Sequence, residues 1–121
     1  MAIQKIFVVG AGLMGSGIAQ NAITTGYTVT LNDQNMAALE RAKAGIEKAL
    51  NREVEKGRMA AEDCAAALAR LSLDATIESA KNADLVIEAI YENLQAKQAV
   101  FQNLEAVCPD HTIFASNTSS I

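Results

Sequence analysis

The chain has 121 residues, of which 50% are apolar and 20% charged, with a single proline; that is room for one packed domain, and too apolar a mixture for disorder. Its 10 Lys and Arg against 14 Asp and Glu leave a net charge of -4 and a pI near 4.9, which excludes a broad basic face for nucleic acid or an anionic membrane, so any anionic ligand must be held locally. No apolar run approaches the roughly 20 residues of a membrane span, and MAIQKI lacks the basic start and cleavage site of a signal peptide, so a cytoplasmic protein is expected.

In chain order, IQKIFVV over 3–9 is an apolar, β-branched run bounded by glycine and predicts a buried strand. A helix is predicted from Leu13 to Thr25, with Ile18, Ala19, Ala22 and Ile23 inward and Gly26 capping it in a left-handed conformation. YTVTLND, Tyr27 to Asp33, predicts a second strand. From Asn35 to Lys56 the positions Met36, Leu39, Ile46, Leu50 and Val54 keep helical spacing up to Gly57. A second helix from Ala60 to about Leu71, with Cys64 and Leu68 inward, makes a helical hairpin where a simple crossover needs one helix.

After a short segment around Leu73, ESAKNA predicts a helical turn and DLVIEAI, Asp84 to Ile90, a strand buried on both faces. ENLQAKQAVFQNLEAVC is predicted helical, with Leu94, Val100, Phe101 and Leu104 apolar and Pro109 ending it, and HTIFAS is the final strand. Alternating strands and helices imply one α/β domain over 1–121, a doubly wound parallel sheet with an inserted long helical hairpin.

VVGAGLMGSGIA places Gly10, Gly12 and Gly15 as G-x-G-x-x-G after a strand and at a helix start. Gly10 permits the tight turn, Gly12 lets backbone approach a pyrophosphate, and Gly15 lets helix and strand pack closely, so that free N–H groups and the positive helix end meet the phosphates. The pattern also occurs in turns that only pack tightly, but Asp33 adds context. It lies 21 residues after Gly12, where an acid is expected to bind a ribose hydroxyl pair, with a helix-capping role as the competing reading. An acid there repels a 2'-phosphate, and Gln34, Asn35 and Met36 offer no arginine to receive one; NAD is expected over NADP. The mononucleotide pattern G-x-x-x-x-G-K is absent.

Ligands of such sheets sit beyond the carboxyl ends of the strands, which draws in Ala89 to Glu92 and Asn117 to Ser120. ASNTSS is either a ligand loop or a polar turn. A serine nucleophile is disfavoured, since there is no G-x-S-x-G elbow and His111 stands at the opposite end of the strand Thr112 to Ala115, whose residues rise about 3.3 Å each. No metal site is expected, because His111 is the sole histidine and Cys64 and Cys108 form no ligand cluster; both are expected as reduced thiols.

Taken together, VVGAGLMGSGIA, the acid of LND, the helical hairpin, DLVIEAIYENLQAKQAVFQNLE and HTIFASNTSS resemble the amino-terminal Rossmann-type domain of the NAD-dependent 3-hydroxyacyl-CoA dehydrogenases, over the whole chain. The resemblance implies reversible hydride transfer between NAD and C3 of an (S)-3-hydroxyacyl-CoA, 3-hydroxybutyryl-CoA first, in a homodimeric enzyme of fatty acid metabolism. It implies cofactor contacts from Gly10, Gly12, Leu13, Met14, Gly15, Asp33, Ala89, Glu92, Lys97 and Asn117. Ser119 would be the serine that hydrogen-bonds the substrate oxygen, and Lys56 would meet the CoA phosphates. Lys56 and Lys97 also read as solvated helix lysines, and Glu92 as a first-turn acid. The family's general base, a histidine oriented by a glutamate, and its helical substrate and dimerisation domain follow the SNTSS loop, so the 121 residues are expected to bind NAD without appreciable turnover. Two other readings stay open: another G-x-G-x-M-G dehydrogenase of the 3-hydroxyacid type, and a non-catalytic NAD-binding module.

Overall fold

The computed structural model describes residues 3–89, 102, 106–108 and 112–116, with 114–116 described by backbone alone. Five strands, β1 (Lys5–Val9), β2 (Thr28–Asn32), β3 (Leu71–Asp74), β4 (Leu85–Glu88) and β5 (Ile113–Ser116), form one sheet in the order β3-β2-β1-β4-β5. Every pairing is parallel. Helices α1 (Leu13–Thr25), α2 (Met36–Glu55) and α3 (Ala61–Ala69) and a 3-10 turn, η1 (Glu78–Asn82), complete the described elements.

The parallel sheet dictates where apolar residues go. Ile6 and Val8 of β1 point with Val29 and Leu31 of β2 into a core made by Ala19, Ala22 and Ile23 of α1, Leu39, Ala42, Ile46 and Leu50 of α2, and Cys64 and Ala67 of α3. On the other face Phe7, Val9 and Val86 pack with Ala80 and Ala83. The doubly wound arrangement expected from the sequence is therefore the one observed, with α2 and α3 as the hairpin crossover between β2 and β3.

Several local expectations need adjustment. Met36 is 49% exposed, because the first position of α2 precedes the turn that reaches the core at Leu39. In α3 the inward pair is Cys64 and Ala67, with Leu68 half-buried. The segment around Leu73 is a strand, β3, on the sheet edge. Leu85 and Ile87 of β4 are half-buried while Val86 and Glu88 are buried, so β4 is fully covered on one face only. Gln102, Ala106 and Val107 are helical, and Cys108, expected as the last helical residue, is a half-buried bend; residues 92–101 and 103–105 of the expected helix, with Pro109 and His111, lie outside the described residues.

Helix ends are set by identifiable groups. Gly26, with φ +120, donates its N–H to Ala22 at 3.1 Å and closes α1 as expected, and Arg70 Nη1 donates to the Ile23 carbonyl at 2.7 Å, putting a cation at the negative end of α1. Among the described residues no helix is long and apolar enough to cross a membrane.

Candidate cofactor site

The register aligns the carboxyl ends of all five strands. Asp74, Asn32, Val9, Glu88 and Ser116 stand side by side across β3, β2, β1, β4 and β5. The strand order reverses between β1 and β4, and the crevice for a ligand opens at that switch point. The glycine loop lies directly over it.

Gly10 has φ +106 and donates its N–H to the Asn32 carbonyl at 2.7 Å, which turns the chain off β1. A Cβ on Gly15 would lie 1.7 Å from the Gly10 carbonyl oxygen, so only glycine lets α1 start this close to the strand. Gly12 is different: a Cβ there meets nothing within 4 Å. The space above it is open, which is the room a pyrophosphate needs. Gly12 is also the N-cap of α1 and supplies no side-chain cap, so the first-turn N–H groups at Leu13 and Met14 have no acceptor inside the helix. Leu13 is 97% exposed and Met14 half-buried.

Asp33 ties the loop to the next strand. Its Oδ2 accepts from the Ala11 N–H at 3.0 Å and its Oδ1 from the Asn35 N–H at 2.9 Å. The capping role weighed for Asp33 falls to Asn35, whose Oδ1 accepts from Ala37 and Ala38 at 2.9 and 3.3 Å. A carboxylate has about four lone-pair positions; two are used here, and the others can accept from a vicinal diol. These residues fit an adenosine ribose and a pyrophosphate: an acid beside an open, glycine-floored helix start.

At the strand ends two buried polar residues stand beside the site that sequence reasoning did not single out. Asn32 is 4% exposed, and its Nδ2 donates to the carbonyls of Asp74 at 2.9 Å and Thr76 at 2.7 Å, anchoring the loop after β3. Glu88 is 0% exposed at the end of β4. The signal in both cases is a polar residue inside an apolar strand run, TVTLN and LVIE.

Ala89 is buried just past β4 and donates its N–H to the Val9 carbonyl at 2.8 Å, next to the switch point. Lys56 is exposed at the far end of α2. A 20-residue helix at about 1.5 Å per residue separates it from Asn35 by roughly 30 Å, and it is not part of this cluster. Glu92, Lys97, Asn117 and Ser119 lie outside the described residues.

Fold and cradle are those of a dinucleotide-binding domain of the Rossmann type. A sequence model of the family described as "3-hydroxyacyl-CoA dehydrogenase, NAD binding domain" matches residues 5–121, and the chain belongs to that family. It is 46% identical over its full length to a "Probable 3-hydroxybutyryl-CoA dehydrogenase" of Bacillus subtilis (strain 168), of which it covers 42%. It is 44% identical over 98% of its length to a "3-hydroxyadipyl-CoA dehydrogenase" of Escherichia coli (strain K12), covering 25% of that protein. The crystal structure of 3-hydroxybutyryl-CoA dehydrogenase from Escherichia coli K12 superposes with a TM-score of 0.96 at 44% identity, over 100% of this chain and 26% of that one. The chain thus spans less than half the length of these relatives. A 3-hydroxyisobutyrate dehydrogenase of Mycobacterium tuberculosis shares the fold alone, with a TM-score of 0.60 at 17% identity over 95% of this chain and 31% of that one.

Proposed function

We propose that the chain supplies the cofactor half of an oxidoreductase that reversibly oxidises (S)-3-hydroxyacyl-CoA, in the first instance 3-hydroxybutyryl-CoA, to the 3-oxoacyl-CoA. The observation that carries the reading is Asp33, fixed by Ala11 and Asn35 beside the open floor at Gly12. That arrangement receives a ribose with a free 2'-hydroxyl and a pyrophosphate, while the names of the relatives supply the acyl-CoA class. When bound, NAD is the hydride acceptor for C3.

The residues of this chain bind and orient. The N–H groups of Gly12, Leu13 and Met14 hold the pyrophosphate, Asp33 takes the ribose diol, and Ala89, Glu92, Lys97 and Asn117 line the rest of the cofactor. Ser119 hydrogen-bonds the C3 oxygen; a hydroxyl with no adjacent base holds that oxygen but does not take its proton. Lys56 meets the CoA phosphates from the far end of α2. In the complete enzyme a further helical domain brings the histidine base and its glutamate and forms the homodimer, in the cytoplasm.

Calorimetric titration of the 121-residue chain with NADH and NADPH tests the cofactor half. Saturable NADH binding with NADPH much weaker is expected, and a folded chain that binds neither overturns the reading. NADH oxidation by acetoacetyl-CoA, measured on the full-length protein, tests the substrate; turnover of a 3-hydroxyacid without CoA in its place would favour the 3-hydroxyacid type.

A further inference from the structure

Glu88 ends β4 with 0% of its surface exposed, in register with Val9 on one side and Ser116 on the other. It shares the sheet face of Val86, where the described surroundings are the apolar Phe7, Val9, Ala80 and Ala83. An ionisable group is expensive to place among such neighbours unless it is engaged by donors, and Glu88 is engaged within the chain. A buried carboxylate that served only packing would be matched or improved by an apolar residue of similar volume.

Its place in the crevice suggests what it serves. Asp33 fixes one half of the dinucleotide on the β2 side of the switch point, so the other half crosses the glycine loop to the β4 and β5 side. Glu88 lies beneath that half. Being fully buried, it cannot touch a ligand and must act through the backbone around it: Ala89, already bonded to Val9, and the end of β5 at Ser116, paired with it in the sheet.

We infer that Glu88 is a positioning residue for the nicotinamide half of the cofactor, its two carboxylate oxygens fixing the carboxyl ends of β4 and β5 on which that half rests. The inference depends on the cofactor reading above.

The test titrates the wild-type chain and the Glu88→Gln and Glu88→Asp variants with NADH and with ADP-ribose, which lacks the nicotinamide. Glu88→Gln keeps size but replaces one acceptor oxygen by a donor. It is expected to bind ADP-ribose within about twofold of wild type, to bind NADH about tenfold more weakly, and to lose the fluorescence change of seated NADH. Glu88→Asp, which keeps both oxygens, should recover part of the NADH affinity. Equal losses for both ligands, or no loss for either, overturn the inference while leaving the cofactor reading standing. A wild-type chain that binds neither ligand overturns both.

Discussion

The Asp33 carboxylate accepts the Ala11 N–H at 3.0 Å, so the acid proposed to select the cofactor also holds the glycine loop in place. Each of its oxygens already receives one backbone N–H, from Ala11 and Asn35. Asparagine offers one acceptor oxygen and would turn its amide towards the other N–H.

Asp33→Asn is therefore expected to act on the empty protein as well as on binding. Leaving one donor facing another costs about 1–3 kcal/mol of stability, read by urea unfolding without ligand. NADH affinity should fall about 10- to 100-fold, equivalent to about 1.4–2.8 kcal/mol, and the preference over NADPH should narrow because the negative charge is gone. A variant as stable as wild type with unchanged NADH affinity would refute both roles.

Gly12 and Gly15 look alike in sequence and are predicted to fail differently. A Cβ at Gly15 would sit 1.7 Å from the Gly10 carbonyl oxygen, backbone that cannot swing aside. Gly15→Ala should therefore cost at least the 1–3 kcal/mol typical of overpacking and lower the urea midpoint. At Gly12 a Cβ meets nothing and the backbone is extended, with φ -75, so Gly12→Ala should unfold like wild type. Its NADH affinity should drop, because the methyl occupies the pyrophosphate space. The pair of measurements separates a fold glycine from a ligand glycine.

What the sequence made legible was whatever depends on local periodicity. Leu13–Thr25, Asn35–Lys56 and the strands at Phe7, Val29 and Val86 all follow from the spacing of apolar residues, and G-x-G-x-x-G with Asp33 follows from a fixed local order. β3 was not legible, because LSLD is four residues long and half-buried at an edge, too short to show a period. The burial of Glu88 was implied by reading 84–90 as a strand covered on both faces, but that of Asn32 was not, being decided by neighbouring strands contributed from residues distant in sequence. The sequence pointed to Asp33 as a candidate ribose acid but not as a partner for Ala11, since that contact exists only once β1 and β2 pair.

Asn32 supports the site from below. Its Nδ2 holds the Asp74 and Thr76 carbonyls while its own carbonyl receives Gly10. Asn32→Ala keeps the last bond and removes the first two inside a buried site, so a loss of about 2–4 kcal/mol is expected, at about 1–3 for each carbonyl left unsatisfied less what water can recover. Asn32→Asp should do no better, since a carboxylate presents no donor to either carbonyl. Chemical denaturation of both variants checks this, and rescue by aspartate would count against the donor role.

The loop that Asn32 anchors is also expected to respond to pH through Asp74. Burial, the largest influence, raises its carboxyl pKa, but hydrogen bonds from Ser79 and Thr76 favour the charged form and together hold it below the ordinary 3.8. Thr76 N and Oγ1 reach Oδ1 at 2.8 and 2.9 Å, and the Ser79 hydroxyl and N–H reach Oδ2. Because the folded-state value is depressed, the unfolded chain takes up the proton first as pH falls. The stabilisation is complete well above the unfolded value of about 3.9 and is lost as pH drops through the lower folded value. Asp74→Asn, which cannot accept on both sides, should therefore be less stable than wild type at pH 7, and the gap in urea midpoint should close as the pH is taken below about 4. A gap that stays constant down to the acid transition would mean that these hydrogen bonds do not depend on the charge of Asp74.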